Sequence, residues 1–421
     1  MLAAVYDAAA RLASALAALT PRGKHKLVAT FATRRGLRAR YAAFPRDDTR
    51  SLLWMHAPSV GEGLQARPIL ELMRARRPDT ELAYTYFSPS ARAFADALDV
   101  DFRDALPFDS ARDMRAALDA LRPSALVFSK LDVWPTLARE AARRRTALGL
   151  VSATLSADSS RRRGMAAALL RDAYAYLDRV GAISSEDADR LVALGVSPQR
   201  VTVTGDTRYD QVWARAARAE HDRGALLATL RSERVTLVAG STWPADERRL
   251  LTAWARLAAR HRSLRLIIAP HEPTAPHLAP IEAWARGAGL RTARLDVPGA
   301  SNADVLIVDR VGVLGDLYAL ADVAYVGGGF HAAGLHSVLE PAAFGAPVLF
   351  GPRYRGSRDA RVLVDADAAV SSVDERALEL ALERWLTHPA ERRAAGDSGR
   401  SIVHAGLGAA ERSFALVDSL L

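Results

Sequence analysis

From Ser51 onward the chain alternates short apolar runs with longer amphipathic stretches. The runs Leu52–His56, Leu82–Phe87, Ala125–Phe128, Ala147–Val151, Val180–Ile183 and Val201–Val203 form a first series. Segments such as Leu64–Arg76 and Ala91–Leu98 lie between them with helical periodicity. Short apolar runs separated by amphipathic helices predict βαβ units and a parallel sheet. Gly205–Arg234 reads as a connection holding one helix. A second series follows: Val235–Ala239, Leu264–Ala269, Val305–Val308, Val323–Val326 and Val348–Phe350. The pattern predicts an α/β protein of two doubly wound domains, 1–207 and 208–421, facing a cleft between their strand ends. A terminal helix, Ala409–Leu420, closes the chain, and no repeat or low-complexity linker interrupts it.

The amino terminus has a different pattern. Leu2, Val5, Tyr6, Ala9, Leu12, Leu16 and Leu19 fall at helical spacing, with Asp7 and Arg11 on the other face. Its two charges and its many alanines argue against a membrane span, and no signal-peptide cleavage pattern follows. Beyond Pro21 come Arg22, Lys24, Lys26, Arg34, Arg35, Arg38 and Arg40. An apolar stripe followed by a basic run fits a helix lying on an anionic membrane surface. A helix packed on the first domain fits the same residues.

Composition sharpens this picture by exclusion. The length of 421 residues exceeds one ordinary core, in agreement with two domains. There is no cysteine, which removes disulfides, thiolate metal sites and cysteine nucleophiles. The ten histidines are scattered without an HExxH motif, so no metal site is expected. The net charge of +9 suits anionic partners, although an arginine-rich coat on helices would give the same figure. No nucleic-acid-binding signature accompanies the charge, and no nucleic-acid partner is expected.

Candidate chemistry gathers where strands end. After the first strand, Ser59, Gly61 and Gly63 read as a flexible turn, with Glu62 where the helix Leu64–Arg76 begins. A carboxylate there can serve as a general base or simply cap the helix. Lys130 and Asp132 follow Ala125–Phe128 and could position an acceptor or pair at the surface. In the second series, Gly240, Ser241 and Thr242 offer amides and hydroxyls to a phosphate, and His271 ends the next strand. The stretch from Val323 to Pro352 reads as strand, glycine loop, helix, strand. Gly327–Gly329 would let a ligand approach the backbone, His331 and His336 lie in the loop, and Glu340 opens a helix running from about Val338 to Phe344.

The set HAPSVGEG (56–63), KLDVWP (130–135), GSTWPADE (240–247), APHEP (269–273), GVLGDLYALADVAYVGGGF (312–330) and HSVLEPAAFGAPVLFGP (336–352) resembles the 3-deoxy-D-manno-octulosonic acid (Kdo) transferases in order and spacing over nearly the whole chain. The resemblance implies a glycosyltransferase-B fold of two Rossmann-like domains, the first for the acceptor and the second for the donor. It implies inverting transfer of Kdo from CMP-Kdo to a lipid A precursor, without cofactor or metal, by a peripheral or N-terminally anchored protein at the cytoplasmic face of the inner membrane. Glu62 matches the family's catalytic glutamate. Gly240, Ser241, Thr242, His271, Gly328, Gly329, His336, Ser337 and Glu340 fall on the donor side. Asp132 stands where the family has a glutamate, and Leu335 and Ser337 flank His336 where Gly-His-Asn is usual. The alternatives are another nucleotide-sugar enzyme of this fold, such as a different transferase or an epimerase, and a non-catalytic binding protein on the same scaffold.

Overall fold

The computed structural model describes residues 2–19, 26–156, 159, 161, 164–222 and 225–421. The chain divides into two units: Met1–Asp210 together with Leu407–Leu421, and Gln211–Gly406.

In the first unit seven parallel strands run β1 Leu52–His56, β2 Glu81–Tyr86, β3 Phe102–Ala105, β4 Ala125–Ser129, β5 Ala147–Ala153, β6 Arg179–Ala182 and β7 Val201–Val203. Their order across the sheet is β3-β2-β1-β4-β5-β6-β7. Strands β1, β2 and β4 are buried along their whole length, which is why they read as unbroken apolar runs. The order reverses direction between β1 and β4, so the carboxyl ends of these neighbours form a switch point where such sheets bind ligands.

The second unit repeats the plan with β8 Val235–Thr242, β9 Leu264–Pro270, β10 Thr292–Arg294, β11 Val305–Ile307, β12 Val323–Val326, β13 Val348–Phe350 and β14 Ala369–Ser371. Its order is β10-β11-β9-β8-β12-β13-β14, again parallel, with the switch between β8 and β12. Two apolar clusters cover the faces of this sheet, one around Trp254 and Tyr325, the other around Ile267 and Tyr318.

Four expectations are revised. Strands β3, β10 and β14 lack a predicted counterpart, because each is a short edge strand and not a buried apolar run. The connection 205–234 holds two helices, Thr207–Asp222 and Ala225–Leu230. The last helix, Ala409–Asp418, belongs to the first unit and not to a domain spanning 208–421: Leu416 and Val417 enter the first unit's core, and the Gly408 and Ala410 amides donate to Asp210.

The fourth concerns the amino-terminal helix, Leu2–Leu19. It docks on the first unit through its polar side. Tyr6 hydrogen-bonds to Asp109, Asp7 accepts from the Ala111 amide at 2.6 Å, and Ser14 donates to Asp113 at 2.6 Å. Asp7 therefore turns inward, while Val5, Leu12 and Leu16 of the apolar stripe are exposed, as is Leu27 on the next helix. Arg22 and Lys24 of the expected basic run lie outside the described residues. Among the described residues no helix is long and apolar enough to cross a membrane.

Candidate functional site

At the first switch point the helix after β1 begins at Val60, four residues before its expected start, with Ser59 as its N-cap residue. Ser59 is not part of a flexible turn: its hydroxyl donates to the Glu62 carboxylate. The other Glu62 oxygen accepts from Lys130 Nζ at 3.2 Å, and the Glu62 carbonyl accepts from the Ser129 hydroxyl at 3.0 Å. Burial would raise the Glu62 carboxyl, but the Ser59 bond and the Lys130 ammonium outweigh it and hold the group below its ordinary range. The carboxylate is therefore ionised at neutral pH while its side chain keeps 16% exposure. Gly63 is fixed by packing, since a Cβ there would lie 2.6 Å from the Tyr84 hydroxyl and against the Phe94 ring.

Lys130 reaches Glu62 from the loop after β4 with a backbone φ of 69°, a left-handed conformation uncommon for lysine. Its amide donates to Val151 on β5 at 2.8 Å, which holds this turn. Asp132 does not join the pair. It bonds to Arg161.

The rest of the loop is tied to the sheet by Trp134, whose indole N–H donates to His56 Nε2 at 2.9 Å. Because an indole nitrogen can only donate, His56 carries its proton on Nδ1 and gives it to the Thr85 hydroxyl at 2.9 Å. Burial pushes this imidazole down to about 3, so it stays neutral. Asp109 accepts from the Thr136 and Leu137 amides at 2.9 and 2.8 Å, capping the helix that follows the loop. None of the pairings of His56, Trp134 and Asp109 was foreseen from sequence, since each joins residues far apart in the chain.

At the second switch point a bulge separates Gly240 from Thr242 in the β8–β9 register, and Ser241 occupies it with φ 54°. The Thr242 hydroxyl donates to Glu247 at 2.8 Å, and the His271 amide donates to the Thr242 carbonyl at 2.9 Å. Trp243 gathers the histidines. Its ring stacks on His331 at 4.1 Å and on His271 at 4.5 Å, and His271 lies 4.6 Å from His336. The Trp243 N–H donates to His336 Nε2 at 3.2 Å, so that imidazole is also neutral, and burial and His271 lower its proton affinity. Ser337 is exposed on the same loop.

The glycines here serve the chain's own backbone. A Cβ on Gly327 would strike the Ser241 carbonyl, one on Gly328 the Gly334 carbonyl, and one on Gly329 the Gly351 backbone. A Cβ on Gly240 would strike the Tyr318 hydroxyl. Loop packing alone thus excludes a Cβ at Gly327–Gly329, a reason for glycine there beyond the ligand access expected from sequence. The Gly328 amide is also engaged, donating to Asp246 at 2.8 Å.

Asp246 organises this region, and the sequence pattern gave it no role of its own. Its carboxylate accepts from the Trp243 and Phe330 amides at 3.0 and 3.1 Å and from the Tyr325 hydroxyl at 3.0 Å, besides Gly328. Its third position in the helix Pro244–Arg260 was the available signal, since a carboxylate there commonly bonds back to the cap residue. Glu340, in the first turn of the helix Leu339–Ala343, is raised by burial. Arg215 opposes that rise from 3.9 Å and bonds to Asp316 at 2.9 Å; neither pairing was anticipated.

Comparisons with known proteins now bear on this geometry. Residues 35–211 match the family model described as 3-deoxy-D-manno-octulosonic-acid transferase. The chain is 32% identical over 385 residues to the 3-deoxy-D-manno-octulosonic acid transferase of Bordetella pertussis, covering 88% of this chain and 87% of the relative. The protein of the same description from Haemophilus influenzae is 26% identical over 376 residues, again covering 88% and 87%. Among solved structures, a putative UDP-N-acetylglucosamine 2-epimerase from Listeria monocytogenes superposes with a TM-score of 0.63 at 12% identity, over 88% of this chain and 96% of the other, a likeness of fold alone.

Proposed function

The chain belongs to the 3-deoxy-D-manno-octulosonic acid transferase family, and on that basis we propose that Glu62 is the general base of an inverting transfer of Kdo from CMP-Kdo to a lipid A precursor. The protein is a glycosyltransferase of lipopolysaccharide synthesis. One observation carries the assignment of the base: a carboxylate kept ionised by Ser59 and Lys130 at the carboxyl end of β1, beside the switch point. An acceptor hydroxyl bonds to Glu62 and loses its proton to it while the oxygen attacks the anomeric carbon of Kdo. The bond from that carbon to the CMP phosphate oxygen breaks, CMP leaves with the electron pair, and attack from the opposite face inverts the centre. General-base assistance of this kind is worth roughly 10²–10⁴-fold.

In this reading the donor binds the second unit. The bulged Ser241, the imidazoles of His271 and His336, and Glu340 supply polar contacts around an indole held rigid by its neighbours. Thr242 and the three glycines shape the site and do not touch the ligand, their hydroxyl and Cβ positions being taken up by the protein itself. The epimerase alternative draws on fold likeness alone.

We further propose that the protein sits peripherally on the inner membrane's cytoplasmic face. An amphipathic helix that spends its polar side on the protein and leaves Val5, Leu12 and Leu16 outward supports this. Incubating the protein with CMP-Kdo made in situ and lipid A precursor tests the activity: a product heavier by Kdo is expected, and none would overturn it. Co-sedimentation with anionic vesicles tests the location. Binding should weaken with salt and with deletion of residues 1–19, and equal binding of both forms would overturn it.

A further inference from the structure

The first unit holds an arginine-lined cavity that none of the site residues above explains. It measures about 440 Å³, and Arg35, Arg40, Arg92 and Arg103 line it against only two carboxylates, Asp96 and Asp104. It opens beside Tyr86 at the carboxyl end of β2, the strand next to β1. The short helix Arg92–Asp96 joins the cavity to the Glu62 region: Phe94 lies where a Cβ on Gly63 would go, while Arg92 and Asp96 line the cavity. Arg40 is held by bonds to Asp104 at 2.6 and 3.0 Å and to the Arg35 and Thr33 carbonyls. Arg103 is steadied by the Asp96 carbonyl at 2.7 Å. Arg92 meets Asp96 only at 3.7 Å. Arg35 also lines a second cavity, of about 640 Å³, walled by Ser14, Ala15 and Ala17 of the amino-terminal helix. That helix carries the exposed apolar stripe on another face.

We propose that the 440 Å³ cavity receives a phosphate monoester on the sugar headgroup of the acceptor, with Arg92 and Arg103 as ligands and Arg40 as a fixed positive wall. The inference rests on the acceptor reading above and deepens it. An excess of guanidinium groups over carboxylates favours a dianion, and guanidinium groups bind phosphate through charge-assisted hydrogen bonds. The position, one helix from Glu62 and sharing Arg35 with a second cavity walled by the apolar helix, suits an amphiphile whose headgroup must reach the base while its chains stay in a bilayer. A free phosphate shares the chemistry but has no use for the apolar side.

Equilibrium binding of the lipid acceptor in detergent micelles to the full-length protein reads the site without turnover. Wild type, Arg92→Gln and Arg103→Gln are compared on the phosphorylated acceptor and on the same acceptor after phosphatase treatment, with CMP affinity and inorganic phosphate as further probes. Losing one charge-assisted bond should weaken the phosphorylated acceptor by about ten-fold or more. The dephosphorylated acceptor should bind wild type and variants alike, CMP affinity should hold, and inorganic phosphate should compete only weakly. Variants that bind the phosphorylated acceptor like wild type, or lose both acceptors equally, would overturn the proposal. So would inorganic phosphate binding as tightly as the lipid. Normal binding behaviour with no Kdo transfer by wild type would instead overturn the proposed activity and leave this site standing.

Discussion

The two switch points share a topology and differ in what their carboxylates do. At β1/β4, Glu62 is kept ionised and partly exposed by one hydroxyl and one ammonium. At β8/β12, Asp246 is fully buried and accepts four hydrogen bonds, while Glu340 is pushed by burial toward its neutral form. The switch point of the first sheet holds a charge available to a reactant. That of the second sheet spends its charge on rigidity and presents rings and backbone. Topology locates both sites, and the environment of the carboxylates decides which of them can take a proton.

Removing the Asp246 carboxylate is the severest way to break the contrast. Asp246→Ala leaves four donors without their acceptor, each costing about 1–3 kcal/mol when buried. The second unit should melt at markedly lower temperature and lose CMP binding, while the first unit's transition stays in place. Calorimetry with CMP titration checks this, and two unchanged transitions would contradict the role given to Asp246.

A smaller effect separates glycines of the two sites. A Cβ at Gly327 meets the Ser241 backbone, and such overpacking typically costs about 1–3 kcal/mol. A Cβ at Gly61 has only Ser59 Oγ nearby, at 3.8 Å, in a helix where alanine is the better former by up to about 1 kcal/mol. Gly327→Ala should therefore destabilise and weaken CMP binding, and Gly61→Ala should be neutral or stabilising in thermal melts.

The mildest change sharpens the electrostatic side. Lys130 is one of the causes holding the Glu62 carboxyl low, so its removal lets that carboxyl rise. A Glu62 base would work only when ionised, so the proposal places the acid limb of kcat/KM in wild type below the ordinary glutamate range of about 4.3. In Lys130→Met the limb should move to higher pH, and Lys130→Arg should restore it. A pH–rate profile of the three proteins reads the shift.

Much of this was legible in the chain. Ten strands announced themselves as apolar runs because they lie inside their sheets and are covered on both faces; the exposed edge strand β7 did so only through its two valines, and β3, β10 and β14 at the other edges did not. Glu62 and Lys130 could be placed at the ends of neighbouring strands, but their 3.2 Å contact depends on the left-handed turn at Lys130, which no spacing reveals. The glycines were visible and their purpose was not: permissive backbone and tight loop packing leave the same letters. Asp246, His56 and Arg215 went unassigned because their partners lie far away in sequence. The amino-terminal helix showed its stripe plainly, yet which side faced the protein depended on Asp109, Ala111 and Asp113.

The central claim is that Glu62 supplies the base and the second unit holds the donor. Glu62→Gln keeps the shape of the side chain and its bond from Ser59 but cannot accept a proton from the acceptor hydroxyl. Single-turnover transfer from CMP-Kdo, measured beside CMP affinity, should fall by roughly 10²–10⁴-fold while CMP affinity stays within about two-fold of wild type. Transfer at a near-normal rate by this variant would contradict the account.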